Sequence, residues 1–310
     1  MSDGNATVAI LLCIFQGETF LKEQLDSFAW QTHRDWQLFV SIDGSNVETN
    51  NILRKFQDEN LQNKIHLRNG PQQGCLANFL SLVCDTTIET DYYAFSDQDD
   101  IWEANKLTEA IKWLNTIPAD VPAIFCSRTS LIDHEGKNIG YSPFFKKTPS
   151  FAHAIMQNIA TGNTMVFNHA AKKLLILAGK DVCVFAHDWW LYIVVSACGG
   201  KIKFDRDTFV RYRQHGTNLV GFNRGLRHKI KSFYKLMQGQ YKSYNEEHVI
   251  ALNKLIPYMT PENREVFNKF VEMRKAKLFN RLIGFYRSGI YRQTMVENIG
   301  LAVAALMNRL

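Results

Sequence analysis

Through residues 1–221 apolar positions come in short, nearly continuous runs, separated by stretches that are polar or helical in period. The first run, Val-Ala-Ile-Leu-Leu-Cys-Ile-Phe over 8–15, stops at Gln16-Gly17. Unbroken apolarity is what a strand buried on both faces requires, so this run predicts an internal strand of a parallel sheet. From Thr19 onward Phe20, Leu21, Leu25 and Phe28 recur at helical spacing, which completes one α/β unit. A second strand is predicted over 37–42, closing at Asp43-Gly44-Ser45, with a polar helix over roughly 47–60. A third, over 65–68, precedes the turn Asn69-Gly70-Pro71. An apolar helix over 74–84 then leads to a fourth strand over 92–96. Three βα units thus precede the residues at 97–100, where open α/β sheets place their ligands, beyond the carboxyl ends of the strands.

Beyond a helix over 103–114 the pattern changes. Strands are predicted over 123–132, 164–167, 202–204 and 209–213, with a turn at Asp133-His-Glu-Gly136, a helix over 170–177, and another helix opening at His187-Asp-Trp-Trp-Leu-Tyr192. From Arg224 onward the pattern is helical, with Phe233, Leu236, Tyr241, Leu252, Leu255, Phe267, Phe270, Leu278, Leu282 and Phe285 interleaved with Lys and Arg. The fold class this predicts is α/β, a mostly parallel mixed sheet flanked by helices with a helical C-terminal extension. The expected division is a body over 1–221 and a basic helical region over 222–310. Charge supports that division. Residues 222–310 hold 16 Lys and Arg against 6 Asp and Glu, net +10, leaving 20 against 24, net −4, for 1–221. A basic helical region either packs on the body with a solvated face or meets an anionic membrane surface, and its Phe, Leu and Tyr residues suit the membrane interface.

The apolar run at 8–15 is too short to cross a bilayer and has no basic segment before it, so it reads as a strand of a cytosolic protein. The six cysteines, at 13, 75, 84, 126, 183 and 198, show no Cys-x-x-Cys pair and have mostly apolar neighbours. They read as reduced, buried core thiols.

Candidate chemistry concentrates in Phe95-Ser-Asp-Gln-Asp-Asp-Ile-Trp102, where three carboxylates crowd into four positions. Like charges so close raise one another's pKa unless water or a cation neutralises them. In an extended loop Asp97 and Asp99 point the same way while Asp100 faces elsewhere. Mg2+ or Mn2+ suits such a site, completing its octahedron with water and substrate phosphate, and the substrate expected is a diphosphate. The alternative is a surface turn in which Asp100 caps a helix starting near Trp102.

Taken in order, these motifs resemble the family-2 glycosyltransferases of the GT-A fold, and among them the bacterial polysaccharide and rhamnosyltransferase-like enzymes. The resemblance spans roughly 7–221. It rests on residues 8–17 with Glu23-Gln24-Leu25-Asp26-Ser27 and Gln31-Thr32, and on Val40-Ser-Ile-Asp-Gly-Ser45. It rests also on the Asp97 motif with Lys106-Leu107, on His187-Asp-Trp-Trp190, and on Tyr212-Arg-Gln-His-Gly216 with Asn218 and Gly221. It implies that Phe15 flanks the nucleotide base, that Asp43 accepts from a base N–H, that Asp99 ligates the metal, and that Asp97 contacts the ribose or the metal's water. Asp188 is the implied base, and it is also a candidate N-cap. His215 is implied as a metal or phosphate contact, Arg213 or Arg211 as a charge clamp on the phosphates, Trp189 and Trp190 as an acceptor platform or core, and Gly162 with Asn163 as acceptor-site lining. Ile42 and Gln16 depart from the family's usual Asp and Asn, which leaves the nucleotide open.

The function implied is inverting, metal-dependent transfer of a sugar from a UDP or dTDP donor to a hydroxyl of a growing bacterial surface polysaccharide. The acceptor implied is carried on a polyprenyl diphosphate, which places the enzyme in the cytoplasm, peripheral on the inner membrane face. The competing reading is a catalytically inactive nucleotide-sugar-binding scaffold. A nucleotidyltransferase is disfavoured because Phe15-Gln-Gly-Glu-Thr19 lacks an Arg/Lys-bearing phosphate loop. No nucleic-acid motif accompanies the basic charge.

Overall fold

The computed structural model describes residues 6–44, 46–215 and 240–310. Ser45, Gly216, Asn218, Gly221, Arg224, Phe233 and Leu236, singled out above, lie outside the described residues, as does the expected boundary at 221. The first half runs β1 (Val8–Ile14), α1 (Leu21–Ala29), β2 (Trp36–Ile42), α2 (Val47–Glu59), β3 (Ile65–Asn69), α3 (Cys75–Val83) and β4 (Tyr92–Ser96). Next come β5 (Ile101–Trp102), α4 (Lys106–Leu114), β6 (Ala123–Ile132), β7 (Asn138–Tyr141), α5 (Phe151–Ala154), a 3-10 turn at Gly162–Thr164 and β8 (Val166–Asn168). They are followed by α6 (His169–Ala178), α7 (His187–Ala197) and β9 (Lys201–Arg213), and then by α8 (Gln240–Leu252), α9 (Pro261–Lys275), α10 (Leu278–Ser288) and α11 (Met295–Leu306).

The strands form one sheet in the order β3-β2-β1-β4-β8-β6-β9-β5, with β7 beside β6. The four N-terminal strands are parallel to one another, as the three successive βα units predicted. Beyond β4 the sheet is mixed: β8 is antiparallel to β4 and β6, and β6 and β9 are parallel. Side-chain alternation splits the core between the two faces. Val8, Ile10, Leu12 and Ile14 pack with Leu25 and Phe28 of α1 and Leu107 and Ile111 of α4. Ala9, Leu11 and Cys13 pack with α3, α6 and α7. Leu252 and Leu255, Phe267 and Phe270 of α9, and Leu301 of α11 belong to that same cluster, so the C-terminal helices share the body's core.

Three local expectations change. The segments 202–204 and 209–213 are one long strand, β9, whose register shifts opposite Ser127 and Arg128. The polar interruption is a bulge, held where Asp205 Oδ1 accepts the Asp207 N–H at 3.0 Å. Trp102 starts no helix; it pairs antiparallel with Val210, and α4 begins at Lys106. Of the cysteines, Cys13 and Cys126 are buried as expected, whereas Cys75 and Cys183 are exposed, because the first opens α3 at the edge of the sheet and the second sits in a loop. All six are unpaired.

Gly200 sets the close approach of α7 to the start of β9. A Cβ there would lie 2.6 Å from the Pro122 carbonyl oxygen and 2.9 Å from that of Val195, and these cannot retreat without breaking the Lys201 N–H to Pro122 and Gly200 N–H to Val195 bonds, each 2.8 Å. Gly200→Ala is therefore expected to cost about 1–3 kcal/mol, measured as a lower urea midpoint at unchanged slope.

Candidate active site

Because β1, β2 and β4 are parallel neighbours, with Ile14 opposite Ile42 and Leu12 opposite Ser96, the residues that follow them emerge at one edge. Phe15, Asp43 and Asp97 are those residues. Phe15 leaves its strand with 60% of its surface exposed. Its backbone is held by Gln98, whose Oε1 accepts the Phe15 N–H at 2.7 Å while Nε2 donates to the Phe15 carbonyl at 2.8 Å. Gly17 makes room for that clamp, since a Cβ would meet Gln98 Oε1 at 2.5 Å. Gln98 was not among the sequence candidates. Its signal was the side-chain alternation that sends it away from Asp97 and Asp99, toward the neighbouring strand.

Asp43 is buried at the end of β2 and accepts the backbone N–H of Gln72 from the β3–α3 turn. Gly70 lets that turn close over it; a Cβ there would lie 2.6 Å from Asp43 Oδ1.

The three clustered aspartates take three environments. Asp100 turns inward and is buried. Its carboxylate accepts Asn163 Nδ2 at 2.5 Å and the Arg213 backbone N–H at 3.1 Å. Burial and the neighbouring Asp99 and Asp97 charges hold its pKa well above the ordinary carboxylate value. It caps no helix. Asp99 reaches the surface and contacts His215, Oδ2 to Nε2 at 2.7 Å, and the imidazole lies 5.5 Å from the Phe20 ring. Asp97 is half-buried, and burial with the charges of Asp99 and Asp188 pushes its pKa up to about 7, opposed by Lys106. Lys106 is itself buried, 3.1 Å over the Trp102 ring, and donates to the Asn163 carbonyl at 2.7 Å. Burial drives its pKa well down.

Asp188 stands in the first turn of α7, whose N-cap is Ala186, so it is not the cap. Its Oδ2 accepts the Gly162 N–H at 3.0 Å and its Oδ1 the Trp189 N–H at 2.6 Å. Burial raises its pKa, while hydrogen bonds from Trp189, Gly162 and Asn158 pull the other way. Gly162 is required there, because a Cβ would sit 2.7 Å from His187 Nε2. His187 fixes the start of α7. It stacks on Phe79 at 3.7 Å and meets the edge of Phe95 at 4.7 Å, and burial lowers its pKa to about 3, which keeps it neutral.

Several expected residues serve the scaffold instead. Trp189 and Trp190 are both core: Trp189 Nε1 donates to the Ala154 carbonyl at 2.6 Å, and Trp190 is fully buried. Among the described residues both rings are enclosed, with His248 of α8 lying 4.9 Å from Trp189 and 6.3 Å from Trp190. Arg213 is 1% exposed; its guanidinium donates to the Asp99 carbonyl at 3.1 Å, the His134 carbonyl at 3.0 Å and Glu23 at 2.9 Å, and lies 4.3 Å over Phe20. Through these bonds it ties the aspartate loop to α1 and to the turn at 133–136. Arg211 pairs with Glu103. Asn163 is engaged by Asp100 and Lys106. An unanticipated neighbour is Cys75: although the residue keeps an exposed surface, the protein packed around its thiol and the Asp97, Asp188, Asp43 and Asp99 charges push the thiol up to about 12, so it stays protonated.

Among the described residues no three His, Cys, Asp or Glu side chains enclose a metal ion. Asp99 and His215 are in contact, and Asp97 is near enough to feel the Asp99 charge. Such a sparse oxygen-and-imidazole set fits Mg2+ or Mn2+, which keep positions open for water and phosphate oxygens, and the like charge around Asp97 gives a cation something to neutralise.

A parallel α/β half joined to a mixed half, with carboxylates at the strand ends between them, is the GT-A glycosyltransferase fold. The chain belongs to glycosyl transferase family 2, whose family description matches residues 9–175, and it is a glycosyltransferase. It is 31% identical over 236 residues to dTDP-rhamnosyl transferase RfbG of Shigella flexneri, covering 71% of this chain and 77% of that protein. An uncharacterised glycosyltransferase of Rickettsia prowazekii is 22% identical, over 79% of this chain and 74% of its own. Among solved structures, S. aureus TarS in complex with UDP-GlcNAc is similar with a TM-score of 0.54 at 13% identity, over 98% of this chain and 89% of the other. The mannosyltransferase PcManGT of Pyrobaculum calidifontis, in complex with GDP-Man and Mn2+, gives 0.51 at 14% identity, over 99% and 88%. At such identities these two likenesses bear on the fold alone.

The buried setting of Arg213 separates two roles by experiment. Arg213→Leu removes donors from Glu23 and two carbonyls and is expected to cost about 2–4 kcal/mol of stability in chemical denaturation. A variant of unchanged stability that lost only affinity for nucleoside diphosphates would return this residue to the phosphates.

Proposed function

We propose that the protein transfers a deoxyhexose, rhamnose from a dTDP donor in the first instance, to a hydroxyl of a lipid-linked bacterial surface glycan, with inversion at the anomeric carbon. The observation that carries the proposal is the gathering of Asp97, Asp99, His215 and Asp188 at the carboxyl edge of β4 and the start of α7, two of them in direct contact. The donor class is supported by RfbG, named as a dTDP-rhamnosyl transferase.

In this reading the exposed ring of Phe15, braced by Gln98, flanks the base, and Asp43 accepts from a base N–H. Asp99 and His215, with Asp97 alongside, would hold Mn2+ or Mg2+, which when bound supplies neutralisation of the departing diphosphate. Asp188 takes the proton from the acceptor hydroxyl as that oxygen attacks the anomeric carbon. Its two backbone hydrogen bonds fix the carboxylate, and the environment that raises its pKa makes it a stronger base than a solvated aspartate. The bulky residues that the sequence offered as an acceptor platform lie in the core, so the acceptor is held by groups around Gly162 and by the loop before α7. No helix among the described residues is long and apolar enough to cross a membrane. A lipid-linked acceptor is reached by an enzyme that lies peripherally on the inner membrane face.

Asp188→Asn should lower transfer by about 10²–10⁴-fold and leave donor affinity unchanged; parallel loss of both would remove Asp188 from the role of base. Since the base acts only when ionised and its folded pKa is raised, transfer in the wild type should fall on acidification. The midpoint is expected above the ordinary carboxylate value of about 4, read from a pH–rate profile. In a thermal-shift screen of UDP-, dTDP- and GDP-sugars, one nucleotide is expected to stabilise the wild type only with Mn2+, and Asp99→Ala should erase that response. A metal-independent shift retained by Asp99→Ala would refute the metal assignment.

A further inference from the structure

The helices α10 and α11 form an antiparallel hairpin. Arg281, early in α10, donates to the Ala305 and Leu306 carbonyls at the end of α11, both at 3.4 Å. Each helix packs one face inward and leaves large apolar side chains on the other. On α10 the inward side carries Gly284, so close to α9 that a Cβ would lie 2.9 Å from Met273 Cβ. On its opposite side stand Leu278, Phe279 and Tyr286, of which the last two are 75% and 87% exposed. Spaced at one and seven residues they occupy one stripe of the helix. On α11 Leu301, Ala304 and Ala305 face the core, while Met295, Val296 and Ile299 are exposed, Met295 to 80%. A monomer in water has no use for such an apolar face on two adjoining helices.

Charge decides what covers it. From Lys275 to Leu310 there are six basic residues, at 275, 277, 281, 287, 292 and 309, against Glu297 alone. Lys275, Lys277, Arg287 and Arg309 are exposed. A second copy docked on this face would bring two such basic sets together. An anionic bilayer neutralises them while taking up the apolar stripe. The hairpin is also preformed: a capping box between Thr294 and Glu297 starts α11, and Gly289, in the left-handed conformation at φ 65°, ends α10. Docking then orders little that is not already ordered.

We infer that the outer face of the α10–α11 hairpin is a docking surface for an anionic lipid bilayer, into which Phe279, Tyr286, Met295 and Ile299 insert between basic side chains. The inference deepens the lipid-linked acceptor reading proposed above and rests on it for its purpose, since an acceptor carried in the membrane is reached by an enzyme lying on it.

The test is flotation of the full chain with vesicles of phosphatidylcholine alone and vesicles carrying about a third phosphatidylglycerol. The wild type should float with the anionic vesicles. The triple variant Phe279→Glu, Tyr286→Glu, Ile299→Glu should bind them at least about tenfold less. Lys277→Glu with Arg287→Glu should abolish the preference for anionic lipid, and Tyr286→Ser, which adds no charge, should give a partial loss. Melting curves and the stabilisation by dTDP-sugar with Mn2+ should match the wild type in every variant. A failure of that nucleotide response in the wild type itself would count against the donor reading and leave this one standing. The inference is overturned if the wild type does not float, if the triple variant floats equally well, or if the wild type is a dimer in solution that the triple variant dissociates.

Discussion

Everything at the site depends on the burial of one carboxylate, Asp100. A buried aspartate persists only if its lone pairs are occupied, and two separate parts of the chain converge to occupy them, with a third bracing one of the two. Asn163 comes from the turn before β8 and the Arg213 backbone from the end of β9, while Lys106 opens α4 and grips the same turn through the Asn163 carbonyl. That knot joins the parallel half of the sheet to the mixed half. Because Asp100 is pinned, Asp99 and Asp97 have no freedom to follow it inward, and the chain presents them at the edge where β1 and β2 also end.

The knot explains why a functional cluster of like charge coexists with a folded protein. The Arg213 guanidinium backs the aspartate loop through the Asp99 carbonyl, and the Lys106 amine grips the turn that holds Asp100, so the inner side of the loop is occupied while Asp97 and Asp99 stay at the edge of the site. Burial, with the charges of Asp99 and Asp188, raises the pKa of Asp97. A protein that neutralised all three aspartates internally would be more stable and would have nothing left with which to meet a cation and a diphosphate. The glycines belong to the same logic. Gly17, Gly70 and Gly162 stand where a Cβ would strike Gln98, Asp43 and His187, so the backbone approaches closely at the places where a polar group must be aimed.

The C-terminal helices continue the body at the level of packing and depart from it at the surface. Their inner residues enter the cluster that α7 builds with the sheet. Gln157, His153 and Tyr291 extend the contact through a polar network that includes the Gln293 N–H to Gln157 bond at 2.9 Å. The outward apolar stripes of α10 and α11 lie on the opposite side of this interface. One short region therefore serves two environments, a core on one face and a different medium on the other.

The parallel half of the fold was legible in the amino-acid sequence because strands buried on both faces must be nearly all apolar, and no other element of that length has that requirement. The strand-end positions of Phe15, Asp43 and Asp97 followed from the same runs, and the family was readable from motifs in their order. What the sequence left open turned on long-range partners. Nothing local distinguishes a tryptophan that stacks on a sugar from one that fills a core, and only the packing of α7 against the sheet and α8 places Trp189 and Trp190 inside. Nor does residue type separate a phosphate-binding arginine from one that braces a loop; the tertiary structure put Arg213 behind Asp99, 114 residues away in the chain. The three aspartates look alike in sequence. Their separate roles were decided by which of them the rest of the chain could surround, because solvation and hydrogen-bond supply are properties of the folded molecule.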